Sequence, residues 1–139
     1  MITTKKATNG CNAVYGYHRV LNLPWKTVIA RIKAALKGAG FSILSEIDIA
    51  EKLKEDIGLE FNRYLILSVC NPPLAVRAFQ EAPDFGSLLL CNLEIYERGG
   101  HTEVAELDAT KLFSVVNHPQ LEMAAKHENE ILRRVIDSV

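Results

Sequence analysis

Cys70 is the residue in this sequence whose position is best suited to chemistry. It directly precedes Asn71, a favoured helix N-cap, and Pro72, a favoured first helical residue. Its sulfur is therefore expected near the positive end of a helix dipole, which can lower the pKa of a thiol and make it nucleophilic. The opposing interpretation is a small buried apolar residue at the end of a core strand. We favour this second interpretation, since free cysteine is among the most buried residue types.

Cys91 is a second candidate, although its strand pattern favours the core. It alternates with Leu89, Leu93 and Ile95, so these side chains are expected on one face of a strand. Consecutive strands are neighbours about two-thirds of the time, so Cys70 and Cys91 could approach each other. A redox pair, a thiolate metal ligand and a sulfur-carrying thiol then all stay open as hypotheses.

Polar side chains on the other face of the same strand are candidates for binding a ligand. Asn92, Glu94 and Tyr96 alternate with the apolar positions and are expected to point away from the core. Asn71 is added because a helix that starts there can present free backbone N–H groups to an anion. The candidate ligand-binding residues are therefore Asn71, Asn92, Glu94 and Tyr96.

Metal and cofactor sites are not indicated by the sequence. The three cysteines form neither a C-x-x-C pair nor an even set, which argues against a zinc site or a disulfide framework. No two histidines are four residues apart, so ligation would need convergence from distant elements. We predict no metal site, and the cofactor, if there is one, stays unknown. The four histidines are His18, His101, His118 and His127.

The elements that must position these residues follow from hydrophobic spacing. Apolar side chains recur at helical spacing after Pro24, and two later segments joined through Gly99 and Gly100 are typical of a hairpin. Because a hairpin is antiparallel, the pattern predicts an α+β fold with a largely antiparallel sheet. The predicted strands are 13–23, 41–47, 64–70, 88–97 and 102–107, and the predicted helices begin at 24, 48, 71, 110 and 119.

Length and composition limit the class of protein. The chain has 139 residues, 48% of them hydrophobic, which predicts one domain over 13–139 preceded by a flexible tail over 1–12. The net charge of −1 and the scattered basic residues argue against nucleic-acid binding. Apolar runs are too short to cross a membrane, and the polar amino terminus lacks the pattern of a secretory signal, so we expect a cytoplasmic protein.

Three ordered motifs resemble the domain-of-unknown-function family 302. They are Gly40-Phe41, Cys70-Asn71-Pro72 and the segment 88–92, within a similarity over roughly 15–116. The resemblance implies a saddle-like antiparallel sheet with helices packed on one face, distantly TATA-binding-protein-like, in a homodimer. It implies no activity. Family members often have proline immediately before the second cysteine, where this chain has Leu90.

Two functional hypotheses follow, and whether the protein is an enzyme stays open. The first is a homodimeric module that binds a small ligand or a partner on the sheet face away from the helices, without turnover. It rests on the polar face of the strand that carries Glu94 and on the lack of an evident catalytic constellation. The alternative is a thiol-dependent redox or sulfur-transfer protein that uses Cys70 and Cys91.

Overall fold

Six strands form one antiparallel sheet in the computed structural model, which describes residues 11–12, 16–88, 90–113 and 117–139. The sheet order is β1-β2-β6-β5-β4-β3, and each neighbouring pair is antiparallel. The strands are β1 (Cys11–Asn12), β2 (Gly16–Leu21), β3 (Ser42–Asp48), β4 (Tyr64–Cys70), β5 (Cys91–Arg98) and β6 (His101–Leu107).

Five α-helices in the described part of the chain join or follow these strands, so the predicted α+β class is confirmed. Asp48 caps the second helix by accepting a hydrogen bond from the backbone of Glu51 at 3.0 Å, and Gly58 ends it in the left-handed conformation. The helices are α1 (Trp25–Gly38), α2 (Ile49–Ile57), α3 (Pro72–Glu81), α4 (Ala109–Phe113) and α5 (Pro119–Asp137), with a 3-10 helix at Pro83–Leu88.

The main core lies between the sheet and the helices α1 and α5. Each fully buried leucine or isoleucine in such a core contributes about 1.5–3 kcal/mol relative to an exposed one. The buried side chains come from α1 (Val28, Ile32, Leu36), from the three central strands (Leu67, Val69, Leu93, Ile95, Val104) and from α5 (Leu132, Val135, Ile136). A smaller cluster joins α3, α4 and the first half of α5 through Ala78, Ala109, Phe113, Leu121 and Ala125.

The end of α5 is fixed to β2. The Tyr17 hydroxyl donates to the Asp137 carboxylate at 2.8 Å, and Arg19 Nη1 donates to the carbonyls of Ile136 and Val139 at 3.0 and 2.6 Å. These bonds satisfy carbonyl groups that a helix terminus leaves without an intrahelical donor. The apolar face of α5 is covered by its own chain, through Leu132, Val135 and Ile136.

The hairpin turn sets the register between β5 and β6. Gly99 and Gly100 have φ values of 58° and 78°, which two-residue turns of this kind require. Arg98 therefore lies opposite His101, and Tyr96 lies opposite Glu103. Two residues earlier on β5, Glu94 lies opposite Ala105. The face of β5 that was predicted to be polar therefore continues onto β6 through Glu103 and Ala105.

Some predictions need correction or stay open. Residues 11–12, predicted to belong to the flexible tail, pair with β2 because Cys11 lies in register with His18. Within the described part, no helix is long and apolar enough to span a bilayer. The saddle shape and the likeness to the TATA-binding protein stay predictions. Predictions for 1–10, 13–15, Leu89 and 114–116 lie outside the described residues.

Candidate functional site

Strand alternation places three of the predicted ligand residues, Asn92, Glu94 and Tyr96, on the outer face of the sheet, which lies opposite the main core. Leu93 and Ile95 of β5 are fully buried against the core, and Glu94 and Tyr96 alternate with them. In the same row as Glu94 lie Ile66 of β4 and Ala105 of β6. We call this surface the outer face, defined by Ser68, Asn92, Glu94, Tyr96, Glu103 and Ala105.

A cavity of about 230 Å³ borders this face over β2, β5 and β6. Glu94 and Tyr96, two of the four predicted ligand residues, line it. Polar and apolar groups both contribute, which is usual for a small-molecule site. The remaining lining residues are Tyr17, His18, Arg98, Glu103, Ala105, Glu106 and Leu107.

One wall of the cavity is a hydrogen-bonded network around Glu103. This carboxylate is 2% exposed and accepts from Arg98 Nε at 2.9 Å, from Arg98 Nη2 at 3.1 Å and from the Tyr96 hydroxyl at 3.2 Å. Burial, together with the charge of Glu103, raises the pKa of Tyr96 to about 12. Tyr64 stacks on Tyr96 with ring centroids 5.2 Å apart. Charge-assisted bonds and stacking hold this wall in one arrangement.

Glu94 differs from Glu103 because one of its two carboxyl oxygens is buried without a donor. Its Oε2 atom has no contact with solvent and no hydrogen-bond partner among the described residues. Burial raises the pKa of Glu94 to about 7. An unpaired buried acceptor costs about 1–3 kcal/mol. Glu94 is therefore a group that gains from meeting a hydrogen-bond donor.

Glu106 is a second buried carboxyl group, and its side chain lies on the core side of the sheet, because Glu106 is in register with Leu93 and the outer-face residue Ala105 precedes it. It is 2% exposed, and neither of its oxygens has a hydrogen-bond partner within the described part of the chain. The nearest cation is Arg133 of α5, whose Nε lies 3.9 Å from Oε1. Burial outweighs the attraction of Arg133, and the nearby Asp108 and Glu94 charges add to it, so the pKa of Glu106 rises to about 8.

The other two predicted ligand residues do not line the cavity. Asn92 lies on the outer face, where its side-chain oxygen accepts from the Ser68 hydroxyl at 2.7 Å. Asn71 caps α3, accepting from the backbone of Leu74 at 3.5 Å, and its own backbone N–H donates to Glu128. Asn71, predicted separately as the start of a helix that can bind an anion, therefore lies away from the cavity that Glu94 and Tyr96 line.

Both cysteines lie near Glu128 on the core side of the sheet. Cys91 is in register with Val69, so Cys70 is one residue from its partner position, and both thiols are free. Glu128 of α5 is 8% exposed and accepts from Cys91 and from the backbone of Asn71. The fold therefore brings the thiols into one neighbourhood, as expected from consecutive strands.

The environment of the two thiols opposes nucleophilic activation. Burial, and then the charge of Glu128, raises the pKa of Cys70, and the same causes together with Glu106 raise that of Cys91 further. These surroundings favour the interpretation of Cys70 as a buried apolar residue over the interpretation of a thiol activated by the start of α3. Among the described residues, no three His, Cys, Asp or Glu side chains are grouped to hold a metal ion.

A second concave region lies between α3 and α5, away from the outer face. It has a volume of about 330 Å³ and is lined mainly by apolar side chains such as Leu74, Leu121 and the exposed Met123. None of its lining residues, all of which belong to the described part of the chain, has a buried side-chain nitrogen or oxygen without a hydrogen-bond partner. It lacks the orphaned acceptor that distinguishes the outer-face cavity.

Several cavity residues were not predicted from the sequence. The hairpin register places Glu103 opposite Tyr96 and Ala105 opposite Glu94. The glycine pair in the turn was the sequence signal from which this register could have been predicted. His18 reaches the site because β2 pairs with β6, far away in the sequence. Glu128 has no local signal, since only the packing of α5 brings it to the cysteines.

An antiparallel sheet with helices α1 and α5 packed on one face defines this chain as an α+β protein. The family model "Domain of unknown function DUF302" matches residues 17–139, and the chain belongs to this family. A crystal structure of an uncharacterized conserved DUF302 protein from Bacillus stearothermophilus is 32% identical, with a TM-score of 0.83. The match covers 90% of this chain and 98% of the other. Among curated proteins, none matches.

Proposed function

We propose that this protein is a homodimeric binding module that holds a small ligand in the outer-face cavity. The observation that carries the proposal is the buried Oε2 atom of Glu94, which borders the cavity and has no hydrogen-bond partner among the described residues. A ligand that donates to this oxygen removes the cost of burying it unpaired.

The size of the cavity sets the size of the ligand. Its volume of about 230 Å³ lies below the roughly 300–1,000 Å³ of pockets for drug-sized molecules. At about 30 Å³ for each water, the same space holds about eight waters. The expected ligand is therefore a small metabolite and not a large cofactor or a peptide.

The dimer is proposed from apolar side chains that border the site. Ile47 of β3 is 43% exposed and lies in register with Ile66 on the outer face, and Leu107 of β6 is 45% exposed and lines the cavity. Phe61, 50% exposed, approaches Tyr64 with ring centroids 6.5 Å apart. A second copy of the chain that covers these side chains would remove them from water.

Sedimentation tests the dimer at micromolar concentration. The parent is expected to sediment at about twice the 15.5 kDa chain mass, and Ile47→Lys is expected to shift it toward the monomer. Met123→Lys is the matched control, because Met123 is 74% exposed on α5 away from this surface. A parent that sediments as a clean monomer would remove the dimer from the proposal and leave the ligand site to be tested separately.

Protein-observed NMR with a library of small fragments tests the ligand site. Binding fragments should shift the backbone signals of Glu94, Tyr96 and Ala105 on the two strands that line the cavity. The groove between α3 and α5, followed through Leu74 and Met123, is an internal comparison. If fragments shift only the groove, or shift neither region, the outer-face proposal is rejected.

The thiol-dependent alternative rests on Cys70, Cys91 and Glu128. A hydrogen bond from Cys91 to Glu128 and the closeness of Cys70 are the observations in its favour. The raised pKa of each thiol opposes it, since the thiolate is the reactive form. We therefore rank it second, and thiol alkylation discriminates it from the binding module.

A further inference from the structure

We infer that the groove between α3 and α5 is a second binding site, which takes a small monocarboxylate with a short unbranched apolar chain. This inference goes beyond the proposed function, because the groove shares no lining residue with the outer-face cavity. It is carried by the apolar floor of the groove and by two basic side chains, Arg77 and His127, that have no partner among the described residues.

Matching faces of the two helices form the walls of the groove. The lining residues lie within 74–81 of α3 and 120–127 of α5, and on both helices they include positions i, i+3, i+4 and i+7. Residues at this spacing share one face of a helix. Ala78 and Leu121, at the floor, are buried in the smaller core cluster. A ligand in the groove therefore meets an apolar surface that the core supports.

A hydrogen bond joins the two helices at each end of the groove. At one end the side-chain amide of Gln120, with its nitrogen turned toward the carboxylate, donates to both oxygens of Glu81 at 2.7 and 3.1 Å. At the other end the backbone N–H of Asn71 donates to Glu128. The helices are therefore antiparallel and joined at both ends. A groove that is formed before binding lowers the ordering cost that a ligand must overcome.

The charged groups along the groove favour an anionic head group. Both oxygens of Glu81 accept from Gln120, whereas Arg77 and His127 have neither a hydrogen bond nor an ion pair with another described residue. A guanidinium has paired donors that match the two oxygens of a carboxylate, and an imidazole N–H adds a further donor. A phosphate monoester fits less well, because its second charge would lie in the same groove as the Glu81 carboxylate.

The volume of the groove sets the length of the apolar chain. At about 30 Å³ for each water molecule, the volume of about 330 Å³ corresponds to about eleven non-hydrogen atoms. Met123 borders this space and is 74% exposed, so a bound chain would remove its side chain from water. Each methylene of the ligand that leaves water contributes about fourfold to the affinity. Octanoate, with about ten non-hydrogen atoms, matches the groove in size and charge.

NMR titration with three probes that share an eight-carbon chain tests this site. Octanoate, octylammonium and 1-octanol are followed through the backbone signals of Leu74, Ala78 and Ala124, which line the groove. Octanoate is expected to bind about fivefold or more tightly than either other probe. It should also bind about tenfold or more tightly than butyrate, which lacks four of its methylenes.

Three variants locate the carboxylate and the chain. Arg77→Gln removes a charge from an exposed position of α3, so it should weaken octanoate about fivefold and change 1-octanol by less than about twofold. Arg31→Gln is the matched control: it makes the same substitution at an exposed position of α1, outside the groove, and should leave octanoate within about twofold. Ala124→Phe, which fills part of the groove, should weaken both octanoate and 1-octanol.

Equal binding of the three eight-carbon probes, or an unchanged octanoate affinity in Arg77→Gln, would overturn the inference. Octanoate shifts confined to Glu94, Tyr96 and Ala105 would also overturn it, because they place the probe in the outer-face cavity and leave the proposed function standing. If octanoate shifts the groove signals and no library fragment shifts the outer face, the groove site stands and the proposed function is rejected.

Discussion

At the residue scale, three glutamates carry most of the unusual electrostatics of this protein. Burial raises the pKa of Glu94 and of Glu128 to about 7 and that of Glu106 to about 8. Their surroundings differ in one respect: Glu128 accepts hydrogen bonds from Cys91 and from the backbone of Asn71, whereas Glu94 Oε2 has no partner among the described residues. This difference is why Glu128 is interpreted as structural and Glu94 as a ligand-binding group.

The thiols provide a prediction at this scale. At pH 8 iodoacetamide should modify Cys70 faster than Cys91, because the pKa of Cys91 is raised further, and both more slowly than a cysteine in an unstructured peptide. Burial and the charge of Glu128 raise both pKa values, so Glu128→Gln should accelerate the reaction of Cys70. The rates can be followed by mass spectrometry of tryptic peptides.

A fast reaction of Cys70 at pH 6 would contradict this expectation. An unperturbed thiol with a pKa of about 8.5 is almost wholly protonated there. If Cys70 outpaces the peptide standard at that pH, the thiol-dependent alternative takes first place.

At the element scale, the sequence predicted correctly those features of helices and strands that depend only on neighbouring residues. Asp48 and Gly58 begin and end α2 as their capping preferences predict, and alternation placed Glu94 and Tyr96 on the face away from the core. The hydrogen bond between the Asn71 backbone and Glu128 could not be predicted locally, because it depends on α5, which follows Asn71 by about fifty residues. His18 was missed for the same reason, since the pairing of β2 with β6 is not encoded locally.

At the element scale, the buried face of helix α1 leads to a prediction about the stability of the domain. Leu36 has no exposed surface and packs in the main core, so Leu36→Asp should unfold the domain or cost about 3 kcal/mol or more, because a carboxylate would be buried without a partner. Ala34→Asp, at an exposed position of the same helix, is the control and should cost less than about 1 kcal/mol. Urea denaturation measures both. Equal stabilities of the two variants would show that the buried face of α1 is assigned wrongly.

At the scale of the whole molecule, the raised carboxyl pKa values predict how stability depends on pH. In the folded protein, the pKa values of Glu94, Glu106 and Glu128 all lie above the ordinary glutamate value of 4.5. Their stabilising contribution is complete below about pH 4.5 and is lost as the pH rises through about 7 to 8. The free energy of unfolding should therefore be lower at pH 8.5 than at pH 5.5, since each pKa unit by which a folded-state value lies above pH 5.5 corresponds to about 1.4 kcal/mol.

Glu106→Gln tests the cause of this pH dependence. The variant removes the group with the most strongly raised value among the three, so its loss of stability between pH 5.5 and 8.5 should be smaller than that of the parent. Glu97→Gln, whose carboxylate pairs with Arg63 at the surface, should keep the slope of the parent. A parent whose stability is flat or rises over this interval would contradict the assignment of buried protonated carboxyl groups.

Native mass spectrometry of protein isolated gently from its own cells tests the central claim most directly. We predict that the parent carries a small bound molecule, one for each subunit, because Glu94 Oε2 is buried at the outer-face cavity and lacks a partner among the described residues. Glu94→Gln, isolated in the same way, should have lost that mass while Glu97→Gln keeps it. A parent without any adduct, or an adduct that Glu94→Gln retains in full, would contradict a ligand site at Glu94.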